Sequence, residues 1–348
     1  LARVGGAVQE RLTPSVLTSN DYKNFGYTAK DGVKLNNNYS YFLPHSIEWL
    51  AFAGSIVEKR EAIKKAIMNY GAVASAQNMK DDPLAIAKDG LEIHMNIHHK
   101  ELNHAVSLIG WNDKVQYKEH QGAWLVKDSD HKDEKTGKHI GVFYVMYDDL
   151  HIAKDEMMGG VSFSNTRRTN FRNVYTHSLH GWRYKTNNNI ESIRTVFKMN
   201  EDGILDSQGY ISIGKNNIAN ISILKNKKTV ASFSKKNQNT GFFTGEFSAP
   251  IETKKGDLIE VIQRNSSKIF AFDGSFMMEV LLGGSLPKWG DPVSVSSSAI
   301  AGEAYYQKIG DEEVKDFSKY AKEDWITESS ISRKVGESSS PTLYLYMR

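Results

Sequence analysis

Two stretches constrain this chain more than any others: Leu102-Asn103-His104-Ala105-Val106-Ser107-Leu108-Ile109-Gly110-Trp111 and Gly122-Ala123-Trp124-Leu125-Val126-Lys127-Asp128-Ser129. Each is a short apolar run with aromatic and β-branched members, which reads as a strand buried in a sheet. Each carries one polar hydrogen-bonding residue at an edge, His104 at the start of the first and Asp128 at the end of the second. A histidine and a carboxylate delivered by neighbouring strands make two thirds of a nucleophilic triad. The competing readings are a buried structural histidine and a strand-end aspartate that caps a turn.

The third member cannot be a thiol of these 348 residues, because they include no cysteine. That count also excludes disulfides and thiolate metal sites from the chain, although it does not fix the compartment. The length suits two domains, each with its own core. Lys and Arg number 44 against 41 Asp and Glu, interspersed, for a net charge of +3. No basic stripe marks a nucleic-acid partner; the one basic cluster, Lys225 to Lys228, reads as a hairpin turn. No run reaches the roughly 18 apolar residues of a membrane span, so no transmembrane segment is expected. Leu1 is not an initiator and no signal-like segment precedes it. The expectation is a chain that begins inside a longer precursor.

The first part mixes helix and strand. Ile56, Ile63, Ala66, Ile67 and Tyr70 recur at helical spacing, Ser55 and Glu58 form a capping box, and Gly71 stops the helix. Strands are expected at Ala72 to Ala76, Ala105 to Trp111, Ala123 to Lys127 and Val142 to Tyr147. The pattern weakens between Asp148 and Asn165, which places a boundary there, with domains 1–155 and 161–348. The second half offers short apolar segments between turns: Thr195 to Met199, Gly209 to Ile213, Ile218 to Leu224, Thr229 to Phe233, Gly241 to Phe247, Asp257 to Gln263, Phe276 to Leu282 and Leu343 to Met347. That spacing predicts an antiparallel sandwich, with one short helix near Glu312 to Tyr320.

In order along the chain, Tyr70-Gly71-Ala72-Val73, Asn103-His104-Ala105-Val106 with Gly110-Trp111, Trp124 to Ser129, and Gly141-Val142-Phe143-Tyr144-Val145 resemble the second half of papain-like cysteine peptidases. Leu1 to Val8 looks like the segment after that family's nucleophile helix. Asn173-Val174-Tyr175, Ala249-Pro250-Ile251 with Lys255-Gly256-Asp257, and Ala301 to Tyr306 resemble the lectin-like sandwich that follows the peptidase domain in bacterial surface members. The resemblance implies an α+β papain-like domain, an incomplete right-hand β-barrel lobe with its helix, followed by an all-β antiparallel sandwich of lectin-like or jelly-roll type.

It also implies roles. His104 matches the general base. Asp128 stands where the family has an asparagine that orients the imidazole, and a carboxylate can fill that role. Asn103 and Ala105 flank the histidine on the expected substrate cleft. The cysteine and the oxyanion-hole glutamine belong to a segment N-terminal to Leu1, so an upstream Cys-bearing fragment is an expected partner. The resemblance further implies a polypeptide substrate, no cofactor and no metal, and a secreted or cell-surface bacterial protein. Carbohydrate or another surface partner is the candidate ligand of the sandwich, through Trp182, Tyr184, Trp289 or Trp325; such aromatics also serve as core.

The chain departs from the family pattern after Asp128. Ser129 is followed by Asp130 and His131 in place of tryptophan and glycine, and a charged loop, Asp130 to His139, replaces a glycine-rich one. Loss of the shielding ring predicts a more exposed histidine hydrogen bond. A second reading is therefore a scaffold that has lost catalysis and serves in binding, adhesion or assembly. His94, His98 and His99 could face a metal only if their segment were helical; a loop beside the cleft is the expectation. The acidic stretch Asp128, Asp130, Asp133, Glu134 lacks EF-hand spacing and reads as a solvated loop.

Overall fold

The computed structural model describes residues 7–8, 27–28, 32–33, 41–79, 83–129, 141–156, 158–169, 171, 173–176, 184–185, 190–199, 201–274, 304–308, 326–327, 339–341 and 343–348. Contacts divide the chain into two units, Ser46–Ser164 and Leu1–His45 with Asn165–Arg348. The expected helix near Glu312 and the strand at Phe276 to Leu282 lie outside the described residues.

Around the first unit the elements run β1 (Tyr41–Trp49), α1 (Ile56–Tyr70), β2 (Val73–Gln77), β3 (Ala85–Ile86), β4 (Glu92–His94), β5 (His104–Tyr117), β6 (His120–Lys127), β7 (Val142–Met146) and β8 (Val161–Thr169). The sheet order is β8-β2-β5-β6-β7-β4-β3, and it does not close into a barrel among the described residues. Neighbours are antiparallel except β4, which lies parallel to β7.

Helix α1 has the bounds its sequence dictates. Ser55 Oγ accepts from the Glu58 amide at 3.3 Å while Glu58 Oε2 accepts from the Ser55 amide at 2.7 Å, and the Gly71 amide donates to the Ile67 carbonyl. Its buried face is Ile63, Ala66 and Ile67; Ile56 and Tyr70, the outer members of the apolar stripe, are exposed. Ser55→Ala is expected to cost about 1 kcal/mol, read as a lowered urea midpoint with unchanged slope.

Alternation along the strands sorts the sheet into two buried faces. Val106, Leu108, Trp124, Val126, Phe143 and Val145 pack with Ile63, Ala66 and Ile67 of α1. Ala123, Tyr144 and Met146 face the other way and cluster with Ile93 and Val115. The β5–β6 register slips twice, once between Asn112 and Gln116 and once between Leu108 and Gly110, so Ile109 is an unopposed bulge residue.

The second unit is a sandwich. One sheet runs β9 (Asn173–Thr176), then β17 (Leu343–Met347), β11 (Gly203–Ser212) and β14 (Gly241–Thr253). The other runs β13 (Lys228–Asn237), β12 (Asn217–Lys225), β15 (Leu258–Asn265), β10 (Ile190–Lys198) and β16 (Ala304–Lys308). Their inner faces meet in one core, with Leu205, Tyr210, Phe243, Leu343 and Leu345 from the first sheet against Ile193, Phe197, Ile221, Ile259 and Val261 from the second. The Lys225–Lys228 hairpin turns through Asn226 and Lys227, both at positive φ, the backbone of a two-residue type I′ connection. One irregularity recurs below. Across β11 and β14 the register jumps from Leu205↔Ile251 to Ser207↔Glu246, which leaves Asp206 unpaired opposite an arch at 247–250.

No helix among the described residues is long and apolar enough to cross a membrane.

Candidate active site

His104 opens β5 and Asp128 follows the last residue of β6. Because Leu108 pairs with Val126 and Ser107 with Lys127, the next position opposite Asp128 is Val106, and His104 is its diagonal neighbour on the same face. The row His104, Val106, Leu108 thus runs beside the row Trp124, Val126, Asp128, and the two polar residues project just past the apolar core. Their side chains meet: His104 Nε2 lies 2.7 Å from Asp128 Oδ2.

The surroundings distinguish the two partners. The Asp128 side chain is 2% exposed and that of His104 is 23% exposed. The Asp128 amide donates to the Gly141 carbonyl at 2.9 Å, which ties the carboxylate to the end of the β6–β7 ladder. An ionised carboxylate only accepts, so with Asp128 in that form Nε2 carries the hydrogen and Nδ1 keeps its lone pair. The expected exposure of this bond concerns the imidazole; the carboxylate is shielded by the sheet itself.

The segment that presents His104 is pinned from β2. The Asn103 amide donates to the Gln77 carbonyl at 3.2 Å, Asn103 Oδ1 accepts from the Met79 amide at 2.9 Å, and Asn78 Nδ2 donates to the Glu101 carbonyl at 2.6 Å. Asn103 and Ala105 are both exposed, Ala105 on the strand face opposite His104. Gln77 pairs directly with His104 across the sheet. Nothing in the sequence singled out Gln77 and Asn78, because their role arises from a pairing made across some 25 positions of chain.

Beside the site lies the turn after β4. Asn96 Oδ1 accepts from the amides of His98 and His99, and buried Asp149 accepts from the Asn96 amide at 2.7 Å and from the amides of His151 and Ile152 at 2.9 and 3.0 Å. His94 ends a strand with its Nε2 3.1 Å from Glu92 Oε2, so it is not on a helix with His98. No group of metal-binding side chains occurs among the described residues. Asp130, Asp133 and Glu134 lie outside them, as do Trp182, Trp289 and Trp325. The Asp149 hub has a sequence signal in hindsight, an aspartate just after a strand with backbone donors two and three positions on.

The family model described as papain family cysteine protease matches residues 12–149, a span that includes both His104 and Asp128. Over residues 12–149 the chain is thus similar to the papain family. Its fold, with the sandwich that follows, is that of two solved structures. One is the clostridial cysteine protease Cwp84 after propeptide cleavage, at 16% identity and a TM-score of 0.62, with 99% of this chain and 79% of that chain covered. The other is the cysteine protease and lectin-like domains of Cwp84, a surface layer associated protein of Clostridium difficile, at 17% identity and a TM-score of 0.64, with 99% and 70% covered. No match to a curated protein was found. The incomplete barrel lobe expected from the sequence is an open, mixed sheet, and the second unit is the expected antiparallel sandwich, in the fold shared with the second of these structures.

Proposed function

We propose that this chain is the part of a bacterial, cell-surface cysteine peptidase that supplies the base His104 and the orienting carboxylate Asp128. The nucleophile is a cysteine on another segment of the same protein. The observation that carries the reading is the 2.7 Å bond from a shielded Asp128 to a partly open His104 within the span similar to the papain family. The domains are 1–155 for the peptidase and 161–348 for the lectin-like part, which would hold the protein to a surface partner. The surface setting is taken from the likeness to a surface layer associated protein.

In the reaction, Nδ1 of His104 removes the thiol proton and the thiolate attacks a peptide carbonyl. The imidazolium then returns that proton to the leaving amine, and the resulting thioester is hydrolysed with His104 again as base. Asp128 keeps Nε2 protonated throughout and stabilises the imidazolium. Asn103, exposed just before His104, borders the polypeptide, whereas Ala105 lies on the other face of the strand.

The second reading is a scaffold without catalysis, favoured by the absence of cysteine from all 348 residues. Treating the native protein with a thiol-directed epoxide and reading intact masses separates the two. The peptidase reading expects a labelled cysteine fragment that stays with this chain, at a rate reduced at least a hundredfold by His104→Ala. No such fragment, or a label indifferent to His104, leaves the scaffold.

A further inference from the structure

The sandwich unit has a cavity of about 230 Å³ lined by His45, Arg167, Arg168, Thr169, Phe171, Asp206, Ser207, Glu246 and Phe247. It lies where the β11–β14 ladder breaks, with the unpaired Asp206 on one strand and the 247–250 arch on the other. Bulges of this kind re-aim a side chain.

The charges around it are sorted by strand. Asp206 and Glu246 stand on β11 and β14; Arg167 and Arg168 stand on β8, which lies two places beyond β14 in the strand order, with His45 of β1 between. At about 4.8 Å per strand, the acidic and basic walls are about 10 Å apart at the backbone. Arg167 bridges that gap to Glu246, and His45 Nδ1 lies 3.6 Å behind the same carboxylate. Arg167 and Glu246 are 59% and 48% exposed, so their bridge contributes little and can be exchanged for a ligand's groups. Arg168 has no ion-pair partner among the described residues. Thr169, 8% exposed, has a buried hydroxyl that meets no partner there either. Such a group is costly unless something bonds to it. Burial pushes the Asp206 carboxyl up, with Arg348 at 3.3 Å opposing, and holds the His45 imidazole down, with Glu246 opposing.

We infer that this cavity binds a short zwitterionic peptide, its ammonium group between Asp206 and Glu246 and its carboxylate at Arg168 and Thr169. A neutral sugar would leave the sorted charges unused, and a simple anion would face the two carboxylates. Two or three residues of extended chain span about 7–10 Å, matching the gap between the walls. Phe171 and Phe247 supply the apolar sides. The inference does not rest on the peptidase reading.

The test is calorimetric titration of the full chain with triglycine, N-acetyl-triglycine, triglycine amide and glucuronate. Triglycine is expected to bind, each blocked form at least tenfold more weakly, and glucuronate more weakly still. Arg168→Ala should lose at least tenfold for triglycine and no longer discriminate against the amide. Glu246→Gln should stop discriminating against the acetylated form, and Arg168→Ala, an exposed site, decides the matter if that variant does not fold. His104→Ala should leave triglycine affinity as it is in the unaltered chain. Equal binding of free and blocked peptides, preference for glucuronate, no binding at millimolar concentration, or loss on His104→Ala would each overturn the assignment.

Discussion

Asp149→Ala is expected to lower the stability of the Ser46–Ser164 unit by about 4 kcal/mol, because three backbone donors lose one buried acceptor at once. The Asp149 side chain accepts from the amides of Asn96, His151 and Ile152. The same loop is stapled by His151 Nε2 on the His99 carbonyl at 2.8 Å and by the Leu150 amide on the Asn96 carbonyl at 2.8 Å, so freeing one donor loosens the others. Replacing a hub of this kind leaves polar groups buried and unpaired, which costs more than the bonds are worth when intact. Urea unfolding followed by tryptophan fluorescence checks it, since Trp111 and Trp124 lie in this unit and Trp124 is fully buried. Asp149→Asn should recover part of the loss, as a carboxamide keeps one accepting oxygen while its nitrogen opposes the remaining donors. A loss under about 1 kcal/mol for the alanine variant would show that water satisfies these amides.

The second large effect concerns chemistry. Asp128→Ala is expected to slow epoxide labelling of the partner cysteine by about 10²–10⁴, the range that a correctly positioned general base contributes. Asp128→Asn is expected to fall by only about tenfold. An asparagine oxygen still accepts from Nε2–H at this position, so ring orientation survives and only the charge facing the imidazolium is lost. Equal damage in both variants would assign the role to charge. Equal indifference would remove Asp128 from the mechanism, whatever its distance from His104.

What could be read from the sequence follows how local the determinants are. Helix α1 was legible to the residue because its cap, stripe and stop lie within seventeen positions of one another. The sandwich strands were legible as segments, through apolar runs between turns, and the Lys225–Lys228 hairpin through its own four residues. Strands β1 and β8 were not. Pro44 interrupts the first and the run Asn165-Thr166-Arg167-Arg168 hides the apolar pattern of the second, so sheet pairing overrides weak propensity in both. His104 and Asp128 stood out as polar residues at strand edges. Their contact did not follow from that, because it depends on which residues oppose one another across β5 and β6. The strand order of that incomplete lobe likewise depends on long-range pairing.

The unopposed Ile109 gives this site a rule of parity. Beyond it Trp111 pairs with Trp124, and before it Leu108 pairs with Val126, so one extra residue on β5 decides whether Asp128 shares a face with His104 or with Ala105. Deletion of a single residue between His104 and Gly110 that left the bulge in place would present Asp128 to the wrong side of the sheet, whereas deletion of Ile109 itself would close the ladder with every observed pair kept. Gains or losses in twos keep the face and change only the spacing along it. Divergence in this hairpin is therefore filtered by odd and even lengths before it is filtered by residue type, and a homologue with an odd change here keeps the pair only by losing the bulge or through a second odd change.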